Sequence, residues 1–377
     1  MGFATDAIHA GQKPDEGTGA VVTSIQMTST YAQEDLGKNK GYEYGRVHNL
    51  TRESMEKNIA TLEKGKYGIS FSSGLAAIQA VISLVNSGDH VIATANLYGG
   101  SFRLFDTIIK NYGIEFSWVN TDNIVEVNSA VKQNTKMIFV ETPTNPLLIL
   151  SDINAISKIA KKNKIILAVD NTFMSPYFQN PLVLGADIVV HSSSKYLSGH
   201  SDIISGIVIT NDEEINKKLK YTQKAIGAIP SPFDCWLILR STKTLALRMK
   251  QHNQNAIEIA KYLSTKKYVK NIYYPGLKNH PQHKLAKKQM SGFGGIVTVE
   301  FVNFKLTKKF ITKTKLFTLA ESLGGVETLI SHPATMSHGS VPEKRRLEMG
   351  ITKSLIRISV GIEDVEDLIA DIKNAMK

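Results

Sequence analysis

The stretch Ala186-Asp187-Ile188-Val189-Val190-His191-Ser192-Ser193-Ser194-Lys195-Tyr196 decides the fold class of this chain, together with the earlier run Ile166-Leu167-Ala168-Val169-Asp170-Asn171. Short apolar runs rich in β-branched residues are typical of buried strands. One run ends in a carboxylate, and the other is followed by three hydroxyls and an amine. The sequence therefore predicts two buried strands with Asp170 at the tip of one and Lys195 just beyond the other.

Pyridoxal phosphate needs these chemical groups together. It takes an amine for a Schiff base, a carboxylate for the pyridinium nitrogen and hydroxyls for the phosphate. An amine beside a buried strand is desolvated, which lowers its pKa and makes it nucleophilic. Taken singly, Lys195 could be a surface lysine and Asp170 a turn starter. Their combination favours cofactor chemistry.

Strand-like and helix-like segments alternate around these runs. Strands are predicted at 67–71, 90–95, 115–119, 136–141, 165–170 and 187–191. The alternation predicts an α/β fold with a mainly parallel sheet covered on both faces by helices. Ligands of such sheets bind at the carboxyl ends of the strands, where the polar residues of this chain fall.

The pattern changes on either side of this region. Residues 1–50 lack periodicity and predict an extended arm, and 51–232 form the predicted large cofactor-binding domain. Residues 233–377 predict a smaller α+β domain. Its expected elements are a long helix over 234–263, strands near 295–301, 316–321 and 355–360, and a final helix over 363–376.

Other strand ends and strands carry candidate ligand groups. Gly74 and Leu75 open a helix, where backbone N–H groups bind phosphate. Tyr98 follows a strand and could stack on a planar ring. Arg357 lies inside an apolar strand, where its guanidinium fork would suit a carboxylate. Each group also has a structural alternative. Gly74 and Leu75 could form a routine turn, Tyr98 could be a core residue, and Arg357 could belong to a structural ion pair.

Composition limits the other function classes. The 377 residues include 42% hydrophobic and 21% charged residues and one cysteine, with a net charge of +11. The lysines are spread over many segments, which favours solvated faces over a nucleic-acid surface. The sequence has no apolar run long enough for a membrane span and no metal-ligand spacing. We expect a cytoplasmic enzyme without a metal, a nucleic-acid partner or a membrane partner.

Taken together, the motifs of the whole chain resemble those of the cystathionine gamma-lyase and gamma-synthase family of pyridoxal-phosphate enzymes. The motifs are Gly41-Tyr42-Glu43-Tyr44-Gly45-Arg46, Ser73-Gly74-Leu75-Ala76, Tyr98-Gly99-Gly100, Glu141-Thr142-Pro143-Thr144-Asn145-Pro146, Val169-Asp170-Asn171-Thr172-Phe173, Ser194-Lys195-Tyr196, Glu321-Ser322-Leu323-Gly324-Gly325 and Arg357-Ile358-Ser359-Val360-Gly361. The resemblance implies the type I, aspartate aminotransferase-like fold of pyridoxal-phosphate-dependent transferases.

The resemblance also implies a role for each matching residue. Lys195 would bind the cofactor covalently and share acid–base work with Tyr98, which would also stack on the ring, and Asp170 would hold the ring nitrogen. Further cofactor contacts would come from Gly74, Leu75, Thr172, Ser192 and Ser194, and from Tyr44 and Arg46 of a neighbouring subunit. The substrate carboxylate would meet Asn145, Ser322 and Arg357. The expected assembly is a homotetramer, a dimer of dimers with shared active sites.

The chain departs from the family pattern in two places. In the loop after Arg46, His48 replaces a usual glycine and Leu50 a usual proline, whereas Ser194 replaces a threonine and keeps its hydroxyl.

Three charged residues, Glu43, Arg103 and Glu321, match positions of the cystathionine-handling branches. The resemblance favours γ-elimination of L-cystathionine to cysteine, 2-oxobutanoate and ammonia, with a side activity that releases hydrogen sulfide from cysteine or homocysteine. A cystathionine gamma-synthase, which joins O-succinyl- or O-acetylhomoserine to cysteine, is the alternative. An anion-binding regulatory protein on an inactivated enzyme fold is a further class.

Overall fold

A computed structural model describes residues 1–339 and 341–377. In this part of the chain the strands are β1 (Tyr67–Phe71), β2 (His90–Thr94), β3 (Glu115–Val119), β4 (Thr135–Glu141), β5 (Ile166–Asp170), β6 (Ile188–Ser192), β7 (Gly206–Thr210), β8 (Val269–Tyr273), β9 (Ile296–Phe301), β10 (Thr318–Leu319), β11 (Leu329–Ser331) and β12 (Leu355–Ser359). The α-helices are α1 (Phe3–His9), α2 (Leu50–Leu62), α3 (Gly74–Ile82), α4 (Gly99–Arg103), α5 (Ile124–Ser129), α6 (Ile153–Lys162), α7 (Ser175–Phe178), α8 (Glu213–Ile226), α9 (Pro232–Thr242), α10 (Leu245–Ser264), α11 (His283–Gln289), α12 (Phe304–Lys313), α13 (Glu343–Glu348) and α14 (Val365–Met376).

The first sheet has the strand order β1-β7-β6-β5-β4-β2-β3. Strand β7 is antiparallel to both of its neighbours, and the other pairings are parallel. The α/β class and the mainly parallel sheet predicted from the sequence are therefore confirmed. Strand β7 is not predicted from the sequence, because it follows the lysine loop directly, without the intervening helix that marks the other strands.

Helices cover both faces of this sheet because most residues of its strands are apolar and buried. Every residue of β7 and of β2 is buried. On one face α3 packs against β6 and β7. On the other face α6 buries Ile153, Ile156 and Ala160 against the strands. This arrangement leaves the carboxyl ends of β4, β5 and β6 as the accessible edge.

The second sheet has the order β10-β11-β12-β9-β8 and is antiparallel except for the short pairing of β10 with β11. The strand expected over 316–321 is reduced to Thr318–Leu319 at the sheet edge. Helices α10, α12 and α14 pack around this sheet.

The single long helix expected over 234–263 is in fact two helices, α9 and α10. The break falls after Thr242, whose hydroxyl donates to the carbonyl of Leu239 at 2.9 Å. The carbonyl of Ser241 accepts from Nη2 of Arg248 at 2.9 Å and from the hydroxyl of Thr244 at 3.2 Å. The carbonyl of Ser241 thus receives its hydrogen bonds from side chains and not from a backbone N–H one helical turn later. The helix can therefore end here without glycine or proline.

The first fifty residues are mostly irregular, as the sequence predicts. Helix α1 is fixed to α2 by Asn58, whose Nδ2 donates to the carbonyls of Ala7 at 3.1 Å and Ala10 at 3.0 Å. The segment beyond α1 exposes apolar side chains, among them Val21 and Leu36. Within residues 1–339 and 341–377, no helix is both long and apolar enough to cross a membrane.

Candidate active site

A cavity of about 740 Å³ opens at the carboxyl ends of the first sheet and reaches the second sheet. The predicted site residues that line it are Gly74, Leu75, Tyr98, Asn145, Asp170, Thr172, Ser192, Ser194, Lys195, Glu321, Ser322 and Arg357. These residues are spread over most of the chain, yet the fold brings them to one place. The cavity lies at the edge of the sheet that the strand-end rule predicts from the sequence.

Lys195 lies in the loop after β6 and points toward the second sheet. Its Nζ donates a hydrogen bond to Oγ of Ser322 at 2.7 Å. Burial and the positive charge of Arg357 lower the pKa of Lys195 to about 8, and the negative charge of Glu321 opposes this shift. The lowered pKa favours the neutral, nucleophilic form of the amine.

Asp170 ends β5 and is tied to the neighbouring strand tip. Its Oδ1 accepts from the backbone N–H of Thr172 at 3.0 Å, and Oγ1 of Thr172 accepts from the backbone N–H of Ser192 at 2.9 Å. Burial raises the pKa of Asp170, and the two hydrogen bonds from Thr172 oppose that rise. A buried carboxylate of this kind is stabilised by a cationic partner.

The start of α3 forms an anion cradle beside these strand tips. Oγ of Ser73 accepts from the N–H of Ala76 at 3.0 Å and so caps the helix. The N–H groups of Gly74 and Leu75 have no intrahelical acceptor, because they belong to the first turn. A Cβ on Gly74 would lie 2.9 Å from Cβ of Ser192, so only glycine allows this close approach.

Ser194 closes the same cradle. Its Oγ donates to the carbonyl of Ser205 at 3.1 Å and accepts from the N–H of Ser205 at 2.9 Å. These two bonds hold the loop after β6 against the start of β7.

Arg357, in β12, is buried and points its guanidinium into the cavity. Nη1 donates to Oδ1 of Asn145 at 3.0 Å, and Nη2 donates to the carbonyl of Ser322 at 2.7 Å. Its Nε is buried without a hydrogen-bond partner among the described residues. Burial lowers the pKa of Arg357 to about 10. A guanidinium with this spare donor capacity is suited to bind a carboxylate.

Glu141 also lines the cavity, although no role for it is predicted from the sequence. This residue ends β4 and lies in register with Asp170 of β5. Its Oε2 accepts from the N–H of Tyr98 and its Oε1 from the N–H of Asn145, each at 2.8 Å. Burial and the charge of Asp170 raise the pKa of Glu141 to about 8. An apolar run that ends in a carboxylate is the pattern that predicts Asp170, and the run before Glu141 has the same pattern.

The remaining predicted site residues do not line the cavity of this chain. Glu43, Tyr44, Arg46 and Arg103 are exposed. Glu43 accepts from Nδ2 of Asn39 at 2.9 Å, whereas Arg46 stacks on Tyr44 and donates through Nη1 to the carbonyl of Lys224.

The groups in the cavity fit pyridoxal phosphate. An amine with a lowered pKa, a buried carboxylate and hydroxyls beside the N–H groups of a helix start all line one space. The N–H groups and hydroxyls suit a phosphate. Lys195 and Asp170 suit the aldehyde and the ring nitrogen.

The family model described as Cys/Met metabolism PLP-dependent enzyme matches residues 4–377. The chain belongs to this family, and its cofactor is pyridoxal 5'-phosphate. The resemblance and the cofactor expected from the sequence are thereby confirmed.

Individual relatives share the whole length of the chain. It is 50% identical over 373 residues to a cystathionine beta-lyase of Lactococcus lactis subsp. cremoris (strain MG1363), with 99% of this chain and 98% of the relative covered. It is 50% identical over 370 residues to a cystathionine gamma-lyase of Bacillus subtilis (strain 168), with 98% of each covered. It is 45% identical over 378 residues to a cystathionine gamma-synthase of Mycobacterium leprae (strain TN), with 100% and 97% covered.

A solved structure confirms the fold. The crystal structure of a cystathionine gamma-lyase from Lactobacillus plantarum complexed with L-serine matches with a TM-score of 0.97 and 47% identity, over 100% of this chain and 98% of that one. The fold of pyridoxal-phosphate-dependent transferases, expected from the sequence, is therefore confirmed. The relatives' names share cystathionine but differ in the reaction.

Proposed function

We propose that this chain catalyses the γ-elimination of L-cystathionine. With one water molecule, the reaction gives L-cysteine, 2-oxobutanoate and ammonia, so the Cγ–S bond breaks and the α-nitrogen is released. Side reactions on cysteine or homocysteine, which lack the second amino acid moiety, would release hydrogen sulfide by the same groups.

The cavity lining supports the cofactor-holding roles. Lys195 would hold the cofactor through Nζ, Asp170, with Thr172 bonded to it, would meet the ring nitrogen, and Tyr98 would stack on the ring. The phosphate would be bound by Gly74, Leu75, Ser192 and Ser194. Bound pyridoxal phosphate supplies an electron sink for the pair left at Cα when its proton is removed.

The substrate roles use the second sheet. The guanidinium of Arg357 binds the α-carboxylate, oriented by Oδ1 of Asn145 and by the backbone of Ser322. Once the substrate amine has replaced Lys195 on the cofactor, the freed Nζ would remove the proton from Cα, because its lowered pKa allows it to accept a proton near neutral pH. A proton would then leave Cβ, and the electron pair left there would form the Cβ–Cγ double bond as the Cγ–S bond breaks. Lys195 and Tyr98 would deliver a proton to the departing sulfur.

The observation that carries the choice of cystathionine is the position of Glu321. Glu321 lines the cavity together with Lys195 and Arg357, and its charge acts on both of them. A carboxylate whose charge reaches the reacting amine is placed to attract the distal ammonium of cystathionine. Glu43 and Arg103 would complete this recognition at the cavity mouth.

Two other reactions are supported by the relatives. A gamma-synthase would use O-succinyl- or O-acetylhomoserine and cysteine, in keeping with the relative of that name. A beta-lyase would break the Cβ–S bond instead, in keeping with the Lactococcus relative. All three reactions would use the residues named above, and they differ in which bond breaks.

The assembly that we propose is a cytoplasmic homotetramer, a dimer of dimers. The exposure of Tyr44 and Arg46 on an irregular arm supports active sites shared between subunits, because both residues are then accessible to a neighbour's phosphate. The exposed apolar side chains of the same arm support its burial in an interface.

Product identification tests the proposed reaction. The purified holoenzyme is incubated with L-cystathionine alone, and the products are identified by mass spectrometry. We expect cysteine and 2-oxobutanoate. Homocysteine and pyruvate would establish β-elimination. A second incubation supplies O-succinylhomoserine and cysteine, and cystathionine formed there, with none consumed in the first incubation, would establish a synthase. Either result would overturn the proposal.

A further inference from the structure

Glu141 is a buried carboxylate that lines the cavity and whose two oxygens are bonded to two different loops. Its exposed fraction is 5%. Oε2 accepts from the backbone N–H of Tyr98, which directly precedes α4, and Oε1 accepts from the backbone N–H of Asn145, which follows β4. No cation forms a salt bridge with it among the described residues.

The two loops carry different parts of the site. Tyr98 supplies the ring that lines the cavity, and the side chain of Asn145 accepts from Nη1 of Arg357 at 3.0 Å. One hydrogen bond therefore connects Glu141 to the backbone of Tyr98. Two hydrogen bonds, through Asn145, connect it to the guanidinium of Arg357. The distances are short enough, at 2.8 Å each, for charge-assisted hydrogen bonds.

Both loops contact Glu141, and the loop of Tyr98 is also close-packed around its own ring. The ring of Tyr98 lies over Gly100, where a Cβ would be 2.4 Å from Cε1 of the ring. The loop of Tyr98 thus has little freedom on that side. On the other side its backbone N–H is held by Glu141.

We propose that Glu141 is a positioning residue that sets Tyr98 and Asn145, and through Asn145 the guanidinium of Arg357, at fixed places around the cofactor ring. The inference rests on the proposed roles of Tyr98, Asn145 and Arg357. It adds a residue that touches both loops through their backbones.

The chemistry of the side chain explains why glutamate stands here. Both oxygens of Glu141 accept from backbone N–H groups, which suits the ionised carboxylate, because that form only accepts hydrogen bonds. These two donors stabilise the ionised form and so oppose the rise in the pKa of Glu141. Glutamine has one accepting oxygen and one donating nitrogen, so either Tyr98 or Asn145 would meet a donor with its N–H. A buried N–H that loses its acceptor destabilises the local arrangement.

Glu141 is also in register with Asp170 of the neighbouring strand, and this position affects the pKa of Glu141. The two carboxylates end adjacent strands, and the charge of Asp170 disfavours the charged form of Glu141. The burial that raises the pKa of Glu141 to about 8 is opposed by its two N–H donors. A cationic ring nitrogen beside Asp170 would favour the charged form of both.

Binding of glycine to the holoenzyme tests the proposal, because glycine has an α-carboxylate but no side chain to eliminate. Its affinity is read from the change in cofactor absorbance on titration. We expect Glu141→Gln to weaken glycine binding about tenfold, which is the cost of one unsatisfied buried donor. Glu300→Gln is the matched control, since Glu300 is also buried, with 5% exposure, but lies on the second sheet away from the cavity.

A double-mutant cycle separates positioning from general destabilisation. In an Asn145→Ala background the connection from Glu141 to Arg357 is absent, so Glu141→Gln should weaken glycine binding less than it does in the native background, and the remaining loss acts through Tyr98. An equal loss in both backgrounds, or no loss in either, would overturn the inference. If Glu141→Gln binds no cofactor, Glu141→Asp is carried through the same cycle and judged by the same criterion.

The outcome is independent of which bond the enzyme breaks. A protein that leaves cystathionine intact would refute the proposed function, but its glycine titrations would still decide the role of Glu141. Conversely, additive effects in the cycle would refute the positioning role and leave γ-elimination standing.

Discussion

The Nζ atom of Lys195 lies 2.7 Å from Oγ of Ser322, in a segment that precedes the second sheet's β11. This hydrogen bond joins the loop after β6 to residues far along the chain. Next to it, the N–H of Val326 donates to the carbonyl of Gly199 at 3.0 Å. A Cβ on Gly324 would lie 2.7 Å from the backbone nitrogen of Tyr196. The lysine loop and the substrate-binding segment are thus packed as one unit.

The lowered pKa of Lys195 predicts how the apoenzyme recovers its cofactor. Only the neutral amine attacks the aldehyde, so the reconstitution rate should rise with pH and level off above about 8, rather than near 10.5. Stopped-flow absorbance measures this profile. Because the charge of Glu321 raises the pKa of Lys195, Glu321→Gln should move the midpoint to lower pH.

Glu343→Gln is the control for that profile. Glu343 is exposed and forms its salt bridge with Lys353, so its loss should leave the midpoint unchanged. A midpoint near 10.5, or an upward movement in Glu321→Gln, would contradict the assignment of these charges.

Substrate choice provides a second prediction for Glu321. Glu321→Ala should raise KM for cystathionine about tenfold, because a charge-assisted contact to the distal ammonium is lost. Homocysteine has no distal ammonium, so its KM should change by less than about twofold. Steady-state kinetics with both substrates measure the two effects. Equal changes would show that Glu321 does not recognise the distal group.

The cradle at the start of α3 leads to a prediction about cofactor affinity. Gly74→Ala would place a Cβ 2.9 Å from Cβ of Ser192 and narrow the space for the phosphate. We expect at least a roughly tenfold loss of cofactor affinity, measured by equilibrium dialysis, because the N–H groups can no longer approach the anion. Gly2→Ala, where nothing lies within 4 Å of the new Cβ, should bind normally. Unchanged affinity in Gly74→Ala would place the phosphate elsewhere.

Shared active sites predict that two inactive proteins can restore each other. In a hybrid of Arg46→Ala and Lys195→Ala subunits, one site combines an intact Lys195 with an intact Arg46. Equal mixing should therefore recover about a quarter of the native sites. Subunit exchange is followed with differently tagged chains. Verified exchange without recovered activity would show that Arg46 acts within its own chain.

Site residues that lie at the end of an apolar strand, or inside one, could be predicted from the sequence. Asp170 and Lys195 combine a strong strand pattern with an unusual polar group at the tip, and Arg357 is conspicuous inside an apolar strand. The edge of a parallel sheet then fixes where such tips meet. Local pattern and general topology were sufficient for these residues.

Other parts depend on tertiary contacts that leave no local pattern. The break between α9 and α10 relies on Arg248 reaching back to the carbonyl of Ser241. The role of Glu141 relies on two backbone N–H groups from separate loops. The resemblance supplied Asn145, Ser322 and Glu321, because polar residues in loops carry no periodic signal.

Reduction of the holoenzyme with borohydride tests the central claim, that Lys195 holds the cofactor, most directly. The reduced link is permanent, so proteolysis and mass spectrometry identify the modified peptide. We predict a single cofactor-bearing peptide that contains Ser194-Lys195-Tyr196, and none in Lys195→Ala. Attachment of the cofactor to a different lysine in the native protein would contradict the account.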